Sequence, residues 1–214
     1  MGGSRTGSGE ETDAGAVQAP GHEAPAGLWV FGYGSLMWRP GFPFLERHAA
    51  RVRGYHRSLC VYSHVHRGTP ERPGLVLGLD RGGSCRGVAF RVDPAHTTQT
   101  IAYLRAREQA TAVYLERRLE ARLADGRLVP ALTYVVDRAH LQYAGRLHDA
   151  ETLRIVRGGV GRSGANPDYV LSTAVHLVEL GVHDPHLARL AAALAEDASR
   201  TASPAQPASV VRTG

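Results

Sequence analysis

The sequence predicts an α+β domain: a mostly antiparallel or mixed, β-barrel-like sheet with flanking helices. Extended candidates fill the first two thirds of the chain with one helix inserted among them, and helical candidates follow to the end. The clearest strand, Val113 to Leu123, alternates apolar and polar residues with one break at Arg117, and Asp125-Gly126 then turns the chain back into Leu128 to Val136 as an antiparallel partner.

Residues 1–26 are rich in Gly, Ser, Ala and Glu and lack apolar periodicity, so they are expected to form a disordered leader. A single domain is expected over 27–197, followed by a disordered tail of Ser, Ala and Pro character over 198–214. The domain opens with the apolar run Leu28 to Phe31, a buried strand that ends in the glycine turn Gly32-Tyr33-Gly34-Ser35. Ala49 to Ser63 is a second extended segment, with Val52, Leu59, Val61 and Tyr62 among arginines. The polar stretch from His64 to Gly74 reads as a loop. Gly74 to Leu79 and Gly87 to Val92 read as a hairpin around Asp80-Arg81-Gly82-Gly83. Asp93-Pro94 starts a helix, with the aspartate as cap and the proline where its missing N–H costs nothing, and the helix should end near Glu108. Helices are expected over roughly 150–158, 167–180 and 185–196.

All 25 basic side chains of the Lys+Arg total are arginine. Without lysine there is neither a Walker loop nor a Schiff-base amine. The net charge of +5 is not gathered into a basic cluster interleaved with stacking aromatics, so no nucleic-acid partner is expected. Cys60 and Cys85 stand alone, without a CxxC, and read as core thiols in a reducing compartment. No apolar run is long enough to span a bilayer, and the N-terminus lacks the basic and apolar regions of a secretory signal, so a cytoplasmic location and no membrane partner are expected. His64 and His66 would share a strand face but have no evident third ligand, so no metal site is expected.

Three places carry chemistry. Glycines at 32 and 34 allow φ > 0, so that successive N–H groups of the turn can face one cavity and receive a carboxylate or oxyanion; on composition alone, a strand and a tight turn explain the same residues. Met37 occupies the position of a dinucleotide fingerprint's third glycine, and Tyr33 and Met37 flank Ser35 where a nucleophile elbow has glycines. Glu108 falls in the last turn of its helix, where the macrodipole disfavours a carboxylate. It is either a solvated partner of Arg105 or Arg107 or a group held for proton transfer. Asn166-Pro167 reads as the cap and first turn of a helix that places Tyr169 one turn in.

Phe31-Gly32-Tyr33-Gly34-Ser35-Leu36-Met37-Trp38 resembles the opening signature of the ChaC-type γ-glutamylcyclotransferases, which degrade glutathione to 5-oxoproline and cysteinylglycine. Arg107-Glu108 followed by Tyr114 resembles the segment of the family's catalytic glutamate. Gly161-Arg162-Ser163-Gly164-Ala165-Asn166-Pro167-Asp168-Tyr169 resembles its late-helix motif, and Arg67-Gly68 with Pro73-Gly74 is a weaker match to a substrate-flanking loop. The resemblance covers roughly Trp29 to Leu180. It departs from eukaryotic members at Gln109-Ala110-Thr111-Ala112-Val113, which replaces a Gly-Gly pair. It implies the γ-glutamylcyclotransferase-like fold, Glu108 as catalytic acid/base, and a γ-glutamyl cradle at Tyr33, Gly34, Ser35 and Leu36. It further implies Tyr169 in the pocket and Arg67 near the glycine carboxylate of glutathione, with no metal or organic cofactor. A cyclotransferase for other γ-glutamyl amino acids or amines, and a non-catalytic binder of γ-glutamyl metabolites, are the alternatives.

Overall fold

The computed structural model describes residues 27–108 and 112–202. Strands β1 (Trp29–Gly32), β2 (Phe44–Ser63) and β3 (Gly74–Val92) precede helix α1 (Thr97–Glu108), and β4 (Tyr114–Leu123) and β5 (Leu128–Val136) follow it. Together these strands close a barrel in the order β1-β3-β2-β4-β5. Pairing is antiparallel except along the seam where β1 meets β5 in parallel. Helices α2 (Asp149–Gly158), α3 (Asn166–Glu179) and α4 (Pro185–Ala202) flank the barrel. A small ladder of β6 (Val160–Gly161) and β7 (Gly164–Ala165) leads into α3.

Strand β1 is buried along its whole length because it sits between two strands and under packed side chains, which explains its unbroken apolar sequence. Val30, Phe31, Leu79, Phe90 and Leu132 enter the core from the barrel and Leu104 from α1, and Val170, Leu177, Leu187, Leu190 and Leu194 carry it onto α3 and α4. Cys60 and Cys85 are buried free thiols, and burial pushes the Cys60 thiol up to about 12. Among the described residues no helix is long and apolar enough to cross a membrane.

Several elements differ from the sequence reading. The expected hairpin around Asp80-Arg81-Gly82-Gly83 is instead one continuous strand, β3. Its partner β2 begins at Phe44 and is long enough to pair with both halves, so the two glycines take up a bulge rather than a turn. Gly82 and Gly83 have φ of +101° and +69°, opposite Gly54 at +80°, where the register shifts between Arg53 and Tyr55. Asp93 does cap, accepting from the Ala95 N–H at 2.9 Å, but it caps a short 3-10 turn (Pro94–His96) before α1 begins. Helix α4 runs to Ala202, past the boundary expected at 198. The expected leader (1–26) and the remainder of the expected tail (203–214) lie outside the described residues.

Candidate active site

The first wall is the turn after β1. A Cβ on Gly32 would lie 2.9 Å from the Leu36 Cβ, so glycine is needed for the chain to fold back upon the strand. Neither Gly32 nor Gly34 has a positive φ, which corrects the conformational reason expected for them; Gly34 sits at φ −129°. Ser35–Met37 form a 3-10 turn closed by Met37 N–H to Gly34 O at 2.9 Å and Arg39 N–H to Ser35 O at 2.8 Å. The first N–H groups of such a turn have no partner within it, and Gly34, Ser35 and Leu36 line a chamber of about 100 Å³.

Glu108 closes α1 as the sequence places it, and its side chain is 19% exposed. Its carboxylate stands at the junction between the inner chamber and an outer cleft of about 830 Å³, since Ser35, Val76, Glu108 and Tyr169 line both. Burial raises the Glu108 carboxyl above the usual carboxylate range, and the Arg107 guanidinium, with Nε 3.1 Å from Oε1, partly opposes the rise. Arg107 also donates to Ser35 Oγ at 2.7 Å, to Tyr103 Oη at 2.8 Å and to Arg39 O at 2.9 Å, so it ties the end of α1 to the glycine turn. Of the two arginines the sequence offered as partners, Arg105 goes elsewhere: it makes a bidentate pair with Glu116.

The far wall is built on one residue of β3. Leu77 N–H donates to Tyr169 Oη at 3.2 Å, and Leu77 O accepts from the Tyr114 hydroxyl at 2.7 Å. The two phenols are thereby given opposite roles. Tyr169, whose oxygen is occupied by the Leu77 N–H, keeps its proton to donate, whereas Tyr114 has spent its proton and presents lone pairs. Burial raises both hydroxyls and that of Tyr33, so all three stay protonated at neutral pH. Sequence alternation puts Tyr114 on the solvent face of β4, with Glu116, Arg118, Glu120 and Arg122. The last three are exposed, but the start of that face looks into the chamber. Apart from the family-like Arg107-Glu108…Tyr114 segment, nothing local distinguishes Tyr114 from its strand neighbours.

Tyr169 is presented by α3, whose entry departs from expectation. Ala165, not Asn166, is the capping residue, and the Asn166 side chain makes no cap. Fully buried, Asn166 instead pairs with the main chain of Leu75, accepting from its N–H at 2.7 Å and donating to its carbonyl at 2.8 Å. This clamp fixes α3, and with it Tyr169, against the strand that carries Leu77. Arg67 lines the outer cleft rather than the chamber. Its Nη1 donates to Ser163 O at 2.6 Å and Ala165 O at 3.2 Å, and its guanidinium lies 5.2 Å from the centre of the Tyr169 ring.

Ser35 Oγ accepts from the Arg107 guanidinium, a cation that cannot take its proton. Among the described residues no group of three or more His, Cys, Asp or Glu side chains could hold a metal ion. His64 and His66 lie past the end of β2; His64 stacks on Tyr62 and His66 Nδ1 is 2.9 Å from Ser163 Oγ. The chamber therefore brings together a desolvated carboxylate, the start of a 3-10 turn and a phenol pair of opposite polarity.

Residues 28–197 match the family described as ChaC-like protein. A glutathione-specific gamma-glutamylcyclotransferase of Escherichia coli is 34% identical over 160 residues, covering 75% of this chain and 69% of the relative. A glutathione-specific gamma-glutamylcyclotransferase 1 of Danio rerio is 34% identical over 173 residues, covering 78% of this chain and 88% of the relative. In fold, the chain is similar to the crystal structure of a glutathione-specific γ-glutamyl cyclotransferase from yeast, with a TM-score of 0.72 at 22% identity over 80% of this chain and 96% of that one.

Proposed function

The chain belongs to the ChaC-like protein family, and from that premise we propose that it is a glutathione-degrading γ-glutamylcyclotransferase, with Glu108 as its acid/base. The observation that carries the mechanism is the position of Glu108, desolvated at the junction between a chamber the size of one amino acid and an open cleft. The γ-glutamyl group occupies the chamber and the cysteinylglycine portion extends into the cleft, which puts the scissile amide beside the carboxylate.

The substrate supplies its own nucleophile. Glu108 takes a proton from the α-ammonium, and the freed amine attacks the γ-carbonyl carbon to close a five-membered lactam, a ring closure favoured by several powers of ten when the chain is held folded. The new C–N bond forms as the amide bond to cysteine breaks. Glu108 returns the first proton to the departing amine, then takes the second proton from the ring nitrogen and passes it to the same amine, so that the lactam is neutral, cysteinylglycine leaves as an ammonium and Glu108 ends ionised. The products are 5-oxoproline and cysteinylglycine; no water, metal or electron carrier enters the balance. Main-chain N–H groups of Gly34, Ser35 and Leu36 receive the carbonyl oxygen as it gains charge. Tyr169 donates to the substrate carboxylate, and Tyr114 and Tyr33 receive the α-amino group. Arg67, at the cleft, faces the glycine carboxylate with the N–H groups not committed to Ser163 and Ala165. Buried free thiols fit a reducing cytoplasm.

The test is incubation of the purified protein with glutathione and a metal chelator, followed by mass spectrometry. Both products are expected from the wild type and neither from Glu108→Gln. Absence of turnover on glutathione, with turnover of γ-glutamyl amino acids lacking the terminal glycine, would transfer the activity to those substrates. Silence across the whole series would overturn the enzyme reading.

A further inference from the structure

Against the glycine turn, and not among the residues that line the chamber, lies a buried cation. Arg57 of β2 has a side chain only 4% exposed. Its Nε donates to Tyr33 O at 2.5 Å, its Nη2 to Arg86 O at 2.7 Å, and its Nη1 to Asp184 Oδ2 at 3.2 Å, while Nη2 also lies 3.9 Å from Met37 Sδ. Tyr33 and Met37 bracket Gly34, Ser35 and Leu36, which line the chamber together with Tyr33. Asp184 is itself placed by α4, because its other oxygen accepts from the Leu187 N–H at 3.1 Å.

Stability alone is a weak reason for this arrangement. A buried ion pair loses in desolvation what it gains in attraction, and an apolar pair of equal volume commonly serves as well. Geometry is a stronger one. The Tyr33 carbonyl and the Gly34 N–H belong to one peptide unit, and this unit is trans. In a trans peptide the two bonds point in opposite directions, so anchoring the oxygen toward Arg57 turns the N–H the other way, toward the chamber that Gly34 lines. We propose that Arg57, held by Asp184, is a positioning residue that aims the Gly34 N–H and the turn after it into the γ-glutamyl chamber. The inference rests on the cyclotransferase reading of that chamber for its kinetic consequence, though not for its structural one.

Arg57→Lys keeps a cation beside Asp184 but cannot donate to Tyr33 and Arg86 in the same fork. Asp184→Asn keeps an oxygen for the Leu187 N–H and removes only the charge. For the folded Lys variant we expect kcat on glutathione to fall on the order of 10- to 100-fold with a smaller change in KM. The acid limb of the pH profile should stay in place, since Glu108 is untouched. Amide hydrogen exchange over residues 34–38 should quicken, and Asp184→Asn should shift kcat and exchange in the same direction by less. Wild-type kcat and exchange in both folded variants, or a lowered Tm with neither changed, would overturn the proposal. Should Arg57→Lys fail to fold, wild-type kcat and exchange in Asp184→Asn would overturn it alone. If the wild type turns over no γ-glutamyl compound, the enzyme reading falls, while the exchange comparison still decides the role of Arg57.

Discussion

Glu108 and Glu116 lie eight positions apart, each beside an arginine of the last turns of α1, yet they are driven in opposite directions. Glu116 accepts two hydrogen bonds from Arg105, at 2.8 and 2.9 Å, and one from the Tyr134 hydroxyl at 3.2 Å, and the Arg105 bonds hold its carboxyl below the usual range. Glu108 meets Arg107 at a single edge, whose other donors go to Ser35, Tyr103 and Arg39, and burial prevails. A neighbouring guanidinium therefore does not set a carboxylate's protonation by itself. What decides it is how many hydrogen bonds the cation commits to that carboxylate, and how much water has been lost.

The largest expected difference between the two is in turnover. Glu108→Gln should lower kcat on the order of 10²- to 10⁴-fold, the range for loss of a general acid/base, whereas Glu116→Gln should stay within about threefold of wild type. Steady-state kinetics on folded variants checks both, and comparable losses would erase the distinction.

Next comes the pH profile. Glu108 must be ionised to accept the ammonium proton, so kcat/KM should fall as pH drops through its raised pKa, placing the acid limb above the usual glutamate value of 4.5. Arg107→Gln removes the charge that opposes the rise and should move that limb to higher pH; Arg105→Gln should leave it in place. A limb that moves with Arg105 and not Arg107 would reverse the assignment.

Stability should change with opposite signs. The folded state binds the Glu108 proton more tightly than the unfolded chain does, so ionising this group costs stability as pH rises through its folded pKa. Glu108→Gln should accordingly raise Tm at neutral pH. Glu116 is the reverse case: its stabilisation is complete above the unfolded pKa and is lost as pH falls through the depressed folded one. Glu116→Gln should lower stability at neutral pH, by less than about 1 kcal/mol for so exposed a pair. Thermal melts at pH 7 and pH 4 give both signs.

The smallest effect concerns the segment joining the two carboxylates. Residues 109–111, which open the departure from the family's eukaryotic members, lie outside the described residues, but Ala112 has a φ of +56°, where a Cβ is disfavoured. Ala112→Gly should stabilise the fold by about 1 kcal/mol with turnover unchanged, as chemical denaturation would show.

Local chemistry made much of the site legible in the sequence. Asp93-Pro94 favours the start of a helical turn, and the apolar pattern after it gives out near Glu108, which does stand at a C-terminus. Asp125-Gly126 joins β4 to β5 as expected, with Gly126 at φ +93°. The glycine turn ends β1 where the apolar run stops. Tyr114 was illegible because strand alternation tells two faces apart without saying which is wet, and that changes along β4 as the barrel mouth gives way to solvent. Arg57 was hidden for a related reason: one arginine among several in β2 gives no sign that it alone is 4% exposed.

The sequence by itself determined the kind of most elements, the C-terminal end of α1 and the place of the turn after β1, because capping and apolar period act within a few residues. Tertiary structure decided whether Gly82-Gly83 is a turn or a bulge, because a strand's length is set by the partner available to satisfy its hydrogen bonds. It also decided that Asn166 serves Leu75 rather than its own helix, since a buried main-chain pair offers two partners where a cap offers one. Only closure of the barrel against α1 and α3 brought Glu108, Tyr114, Tyr169 and the glycine turn around one small volume, and only that closure removed the water that sets the carboxylate's protonation.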